Sequence, residues 1–164
     1  MSLTLRPRHI LAPALIAAAA IAVPAGAHSG HGTGKTIKLV GTTTHRTILD
    51  LGEPGLTLGD QNAFSNDLQM QGSGKPAGID GGSCTVIRVK DAAAQTATVQ
   101  CRVIYALAGG QITTEGLLEL SAGGFEGTQS AAITGGTGRY RHARGVATAR
   151  FLRPGELALT LDLR

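Results

Sequence analysis

Ala132-Ile133-Thr134-Gly135-Gly136-Thr137-Gly138-Arg139-Tyr140-Arg141-His142-Ala143-Arg144-Gly145 holds three glycines within four residues, flanked by apolar runs on both sides. The β-branched pair Ile133-Thr134 reads as the end of a strand. Gly135, Gly136 and Gly138 then form a structural turn, with backbone conformations at φ > 0 that glycine adopts cheaply. Tyr140 is the expected apolar anchor of a tight connection, and the next strand is expected near Gly145.

Working outward from that turn, the pattern is β throughout. Downstream, Pro154-Gly155 marks another turn, and the last run alternates with a period of two. Leu157, Leu159, Leu161 and Leu163 point one way, and Glu156, Thr160, Asp162 and Arg164 the other, as in a strand buried on one face. Upstream, 125–134 and 111–120 are strands separated by Ala122-Gly123-Gly124, and Gly109-Gly110 precedes them as a further tight turn. In 111–120, Ile112, Leu118 and Leu120 share a face.

Residues 83–90 and 96–107 flank Asp91-Ala92-Ala93-Ala94-Gln95 and read as a hairpin. A turn centred on Ala92-Ala93 sets Cys84 opposite Cys101, Val86 opposite Val99 and Arg88 opposite Ala97. Opposed residues lie about 4.5–5.5 Å apart at Cα, within reach of a disulfide. A Cys84–Cys101 bond is therefore expected, the alternative being two buried thiols. Further upstream, 58–70 alternates less cleanly, with Phe64, Leu68 and Met70 on one parity. Part of 71–82, rich in glycine, must be loop. Segments 35–40 and 43–51 form either one long bent strand or two short ones, and Glu53-Pro54-Gly55 is turn chemistry.

No helical stretch of ten or more residues occurs after the N-terminal segment. Eight strands joined by short turns predict an all-β fold, an antiparallel β-barrel, since closure removes exposed edges; a sandwich fits the strand count as well.

Residues 1–27 read as a secretory signal peptide. Arg6 and Arg8 form a basic n-region, 10–23 is apolar apart from Pro13, and Pro24-Ala25-Gly26-Ala27 offers cleavage after Ala27. The alternative is an uncleaved anchor, but the apolar run is shorter than the roughly 18–20 residues of a spanning helix. Cleavage leaves 137 of the 164 residues and an extracellular location. Segment 28–34 is a flexible mature N-terminus, where His28 and His31 are solvated rather than a metal site, and 35–164 is one barrel domain.

Cleavage removes two of the 15 basic residues and none of the 11 acidic ones, so the net charge falls from +4 to +2. That charge, with no Trp, two Tyr and three Phe, offers little to nucleic acid. No phosphate loop follows Gly135-Gly136-Thr137-Gly138, and no Gly-x-Ser-x-Gly elbow occurs. His45 and His142 have no second ligand at metal-like spacing, so no metal site is expected. Glu115 and Glu119 read as solvated carboxylates on one sheet face, and Arg139, Arg141 and Arg144 as a solvated basic loop with a lesser claim to bind an anion.

Three stretches, in order, resemble the allene oxide cyclase and dirigent barrel superfamily. Leu58-Gly59-Asp60-Gln61-Asn62-Ala63-Phe64-Ser65-Asn66-Asp67-Leu68 resembles its Gly-Asp then Phe-x-Asn at the second strand. Gly81-Gly82-Ser83-Cys84-Thr85-Val86-Ile87 resembles its Gly-x-Cys before an apolar strand. The glycine turn with Arg139-Tyr140 and Ala143-Arg144-Gly145 is nearest to dirigent proteins. The resemblance implies an eight-stranded barrel whose cavity receives a small apolar molecule, lipid-derived or phenolic, and needs no cofactor. It implies a dimer or trimer as well.

Asn66 matches a cavity asparagine of the cyclases that helps hold a water molecule, and Cys84 a cavity cysteine. The family's first-strand acid has no counterpart in 35–40 or 43–49; Asp50 comes only at the end. Three functions remain open: a binding barrel without catalysis, a cofactor-free cyclase or isomerase using Asn66, Asp60 and Tyr105, and a solid structural or surface module.

Overall fold

In the computed structural model, which describes residues 34–164, eight strands form one closed antiparallel barrel in sequence order. They are β1 Lys35–Leu49, β2 Gln61–Met70, β3 Pro76–Asp91, β4 Thr96–Leu107, β5 Gly110–Leu120, β6 Thr128–Gly136, β7 Gly145–Arg153 and β8 Glu156–Leu163. β8 pairs back onto β1, so the sandwich is ruled out. The expected signal peptide (residues 1–27), His28 and His31 fall outside the described residues. No helix among the described residues is long and apolar enough to cross a membrane.

The segments 35–40 and 43–51 prove to be one strand, β1, bent where its register with β2 shifts between Thr43 and His45. β2 begins at Gln61 rather than residue 58, because Gly59 takes φ 94° and Leu58 belongs to the loop before it. β6 begins at Thr128 rather than residue 125, after Gly124 and Gly127 turn the chain through positive φ. Only 71–75 of the glycine-rich stretch is loop, and Gly78, Gly81 and Gly82 lie within β3.

The hairpin sets Cys84 against Cys101 and Val86 against Val99, but Arg88 faces Thr98, and Ala97 faces Val89. A bulge between Val86 and Arg88 adds one residue to β3 and corrects the expected pairing of Arg88 with Ala97. Cys84 and Cys101 are joined in a disulfide, a bond that suits an oxidising compartment.

The glycine turn closes one end of the barrel. A one-turn 3-10 helix, Gly138–Tyr140, follows it and buries Tyr140 as the anchor. Gly138 has φ +56°, as expected, but Gly135 and Gly136 do not have positive φ. Gly136 is needed for another reason: a Cβ there would lie 2.4 Å from the Gln111 carbonyl oxygen and 2.5 Å from that of Tyr140.

Two apolar groups fill different parts of the interior. Ile37, Leu39, Leu68, Ile112, Ile133, Tyr140 and Leu161 pack the end closed by the turn. The Cys84–Cys101 disulfide, Val86, Ala97 and Val99 form the second group, with Phe64, Leu118 and Phe125 against it. Between these groups the interior is open.

Candidate functional site

Alternation along each strand decides what faces that space. Thr43 of β1 is level with Asn66 of β2, Asn66 with Asp80 of β3, and Asp80 with Tyr105 of β4. Strand pairing therefore lines up four polar side chains in a row across the barrel wall. Asn66, Asp80 and Tyr105 are buried.

The row is ordered by hydrogen bonds. The Thr43 hydroxyl donates to Asn66 Oδ1 at 2.7 Å, and Asn66 Nδ2 donates to Asp80 Oδ1 at 2.6 Å. The threonine supplies a donor, so the amide must turn its nitrogen toward the carboxylate.

Asp80 is 2% exposed and, among the described residues, forms no ion pair. Burial pushes its carboxyl up to about 6, against the opposing effect of the Asn66 side-chain and backbone hydrogen bonds. Burial and the neighbouring Asp80 charge both raise the Tyr105 pKa, with the Thr114 hydroxyl acting the other way. Tyr105 thus stays a neutral phenol, able to donate a hydrogen bond. Thr114 of β5, also buried, gives its own hydroxyl proton to the Val103 carbonyl at 3.4 Å.

These groups line a cavity of about 400 Å³ with Phe64, Val103, Phe151 and Leu159. The cavity reaches the barrel end opposite the glycine turn, where Arg46, Glu126, Arg153 and Gly155 stand around it. Phe125 and Phe151 stack there with ring centres 5.4 Å apart. A second space of about 380 Å³ lies under the β1–β2 loop, lined by Leu56, Asp60, Val86 and Leu120. Arg46, Asn62, Cys84 and Phe125 border both. Arg46 donates from Nε to Asn62 Oδ1 at 3.1 Å.

Of the residues named from sequence, Asn66 and Tyr105 lie together in the row. Asp60 stands apart, on the second space. Its Oδ1 accepts from the Leu51 amide at 2.9 Å and the Thr57 hydroxyl at 3.0 Å, and its Oδ2 from the Thr57 amide at 2.7 Å. The Thr57 and Leu51 amides hold its pKa below the usual carboxylate value. Those bonds fasten the β1–β2 loop and occupy both oxygens.

β1 has no acid in the cavity, as the sequence indicates, but β3 contributes one. Sequence reading missed Asp80 because Gly-Ile-Asp-Gly-Gly looks like loop. Its parity was a usable signal: Asp80 lies an even number of residues before Cys84 and Val86, which face inward on the same strand. Glu115 and Glu119, by contrast, lie on the outside, in ion pairs with Arg102 and Lys90.

The family model described as allene oxide cyclase barrel like domain matches residues 36–160. Among solved structures, a pyocyanin demethylase is similar at 28% identity and TM-score 0.66, covering 79% of this chain and 100% of its own. AbnU, an exo-specific intermolecular Diels-Alderase, is similar at 17% identity and TM-score 0.61, covering 80% of this chain and 98% of its own. A pterocarpan synthase dirigent protein is similar at 19% identity and TM-score 0.57, covering 79% of this chain and 82% of its own. No curated protein matches the chain. With the family model spanning most of its length and a barrel fold as that model's description names, the chain belongs to the allene oxide cyclase barrel-like family.

Proposed function

We propose that this chain is an exported barrel that takes a small, largely apolar, conjugated molecule into its cavity and isomerises or cyclises it by proton transfer through Asp80. The observation that carries the reading is the buried Asp80 carboxylate, held by Asn66 and facing open space. A buried carboxylate without a cation costs stability, and such groups concentrate at functional sites. The cavity volume, about 400 Å³, lies within the range of small-molecule sites.

In this reading Asp80, ionised near neutral pH but readily protonated, is the general base. Tyr105 donates a hydrogen bond to the oxygen on which negative charge develops. Asn66 fixes the carboxylate, and the apolar wall made by Phe64, Val103, Phe151 and Leu159 holds the ligand in one conformation and keeps water away. The similarity to a pyocyanin demethylase, at 28% identity over the whole of that chain, supports a small-molecule ligand for this barrel. Export is supported by the disulfide and by the apolar segment that precedes the barrel.

Native mass spectrometry on protein from culture supernatant tests this first. A retained small apolar adduct is expected, together with a mass that starts at His28 and contains the disulfide. Incubating identified ligands in D2O then tests the chemistry: conversion with solvent deuterium at the carbon that exchanges its proton is expected. Retention without conversion would leave a binding barrel, and no ligand from a panel of phenols and lipid epoxides would leave a structural module.

A further inference from the structure

The two ends of the barrel differ in charge. Strand direction brings the start of β1, the β2–β3 turn, the glycine turn and the end of β8 to the pole opposite the cavity mouth. Lys35, Lys75, Arg139, Arg141, Arg144 and Arg164 collect there, and all six are exposed. Asp162, which accepts from the Thr36 hydroxyl at 2.7 Å, is the acidic side chain near them among the described residues.

The asymmetry is large for a barrel with 13 basic and 11 acidic residues. Six cations occupy one pole, while ten of the acids share the remaining wall and the mouth. The ion pairs of the described residues, Lys90–Glu119, Arg102–Glu115 and Arg153–Glu156, all lie away from the pole. Arg139 donates to the Tyr140 hydroxyl and Arg144 to the Ala143 carbonyl, so both are placed by neutral partners and their charge is left uncompensated. Like charges gathered without counter-charges repel one another and destabilise the fold.

The same pole is where the chain enters the barrel. Asp67, Arg102 and Glu115 are charged groups on the strands between the poles, so the outer wall is unsuited to the interior of a bilayer.

We propose that this pole is a docking surface for an anionic lipid bilayer, which holds the barrel with its cavity mouth turned away from the membrane. Each basic side chain near such a surface strengthens binding by about fivefold. The proposal stands independently of what the cavity does.

The barrel closes on itself within Lys35–Leu163, so a chain starting at His28 contains the whole folding unit without the apolar stretch. That chain is sedimented with phosphatidylcholine vesicles with and without phosphatidylglycerol. Binding is expected only with phosphatidylglycerol, and is expected to fall as salt is raised. The triple variant Lys75→Gln, Arg141→Gln, Arg164→Gln should weaken it by about a hundredfold. A triple variant of equal net charge away from the pole, Arg88→Gln, Arg102→Gln, Arg150→Gln, should bind nearly as the parent does. Circular dichroism establishes that both variants are folded. Equal binding to both vesicles, or equal loss in the two variants, would overturn the proposal. So would capture by soluble polyphosphate without vesicle binding.

Discussion

Asp80 sits in an apolar barrel wall with an amide where an ion pair would usually be, and its effect on stability has a definite sign. Its folded pKa of about 6 lies above the ordinary 3.8, so the folded state holds the proton more tightly than the unfolded chain. Stability is therefore highest below about pH 4, falls as pH rises toward 6, and is level above that with respect to this group. A shift of this size corresponds to about 3 kcal/mol. Asp80→Asn should remove that slope in urea denaturation measured against pH, and should raise stability at pH 7. The same variant should lower turnover of a converted ligand by about 10²–10⁴-fold. With the parent protein, turnover should rise through pH 6 as the carboxylate ionises. Asn66→Ala removes the donor to a buried carboxylate, at a cost of about 1–3 kcal/mol at neutral pH. A variant as stable as the parent in urea would mean that water or another donor takes over.

The strands differ in how firmly they are joined. β5 and β6 pair only from Ile112 to Glu115 on the β5 side. Nearer the mouth the Gln129 side chain does the work of the ladder: the Glu119 amide donates to its Oε1 at 2.7 Å, and its Nε2 donates to the Glu119 carbonyl at 2.8 Å. Gln129 also lines the cavity. Gln129→Ala should cost about 1–2 kcal/mol and should speed hydrogen exchange at Glu119 more than in the β3–β4 hairpin. That hairpin is held covalently, across a separation of 17 residues. Replacing both cysteines by alanine should cost about 3 kcal/mol by loop-closure entropy, read as a lower urea midpoint. At the opposite end, Gly136→Ala forces a Cβ into two carbonyl oxygens. It should destabilise by more than the ~1 kcal/mol typical of a point mutation.

Taken whole, the barrel differs from one end to the other. Apolar side chains and the glycine turn close one end, cations cover it, and the cavity opens at the other. Ala149 lies on the cavity wall from β7, and Ala149→Trp should fill that space. Loss of the adduct in native mass spectrometry, with far-ultraviolet circular dichroism unchanged, is the expected outcome. A variant that still retains ligand would move the binding site elsewhere, the space under the β1–β2 loop being the next place to look.

Much of this architecture was legible in the chain. The period-two alternation of β8, the turn chemistry between runs and the cysteine spacing are local properties, because strand faces follow from the pleat and turns from φ preferences. They pointed to an antiparallel all-β chain with a β3–β4 hairpin whose two cysteines face each other, and the three ordered motifs pointed to the family. Closure was not local: pairing of β1 with β8 joins residues more than a hundred positions apart, and only the twist and register of all the strands settle it against a sandwich. The bulge after Val86 was likewise invisible, since inserting one residue changes no composition. For the same reason the site was only half readable. Asn66 and Tyr105 could be named singly, but the row from Thr43 to Tyr105 exists because four strands come into register. Asp80, in a stretch that looked like loop, acquires its raised pKa only from what the closed barrel buries around it.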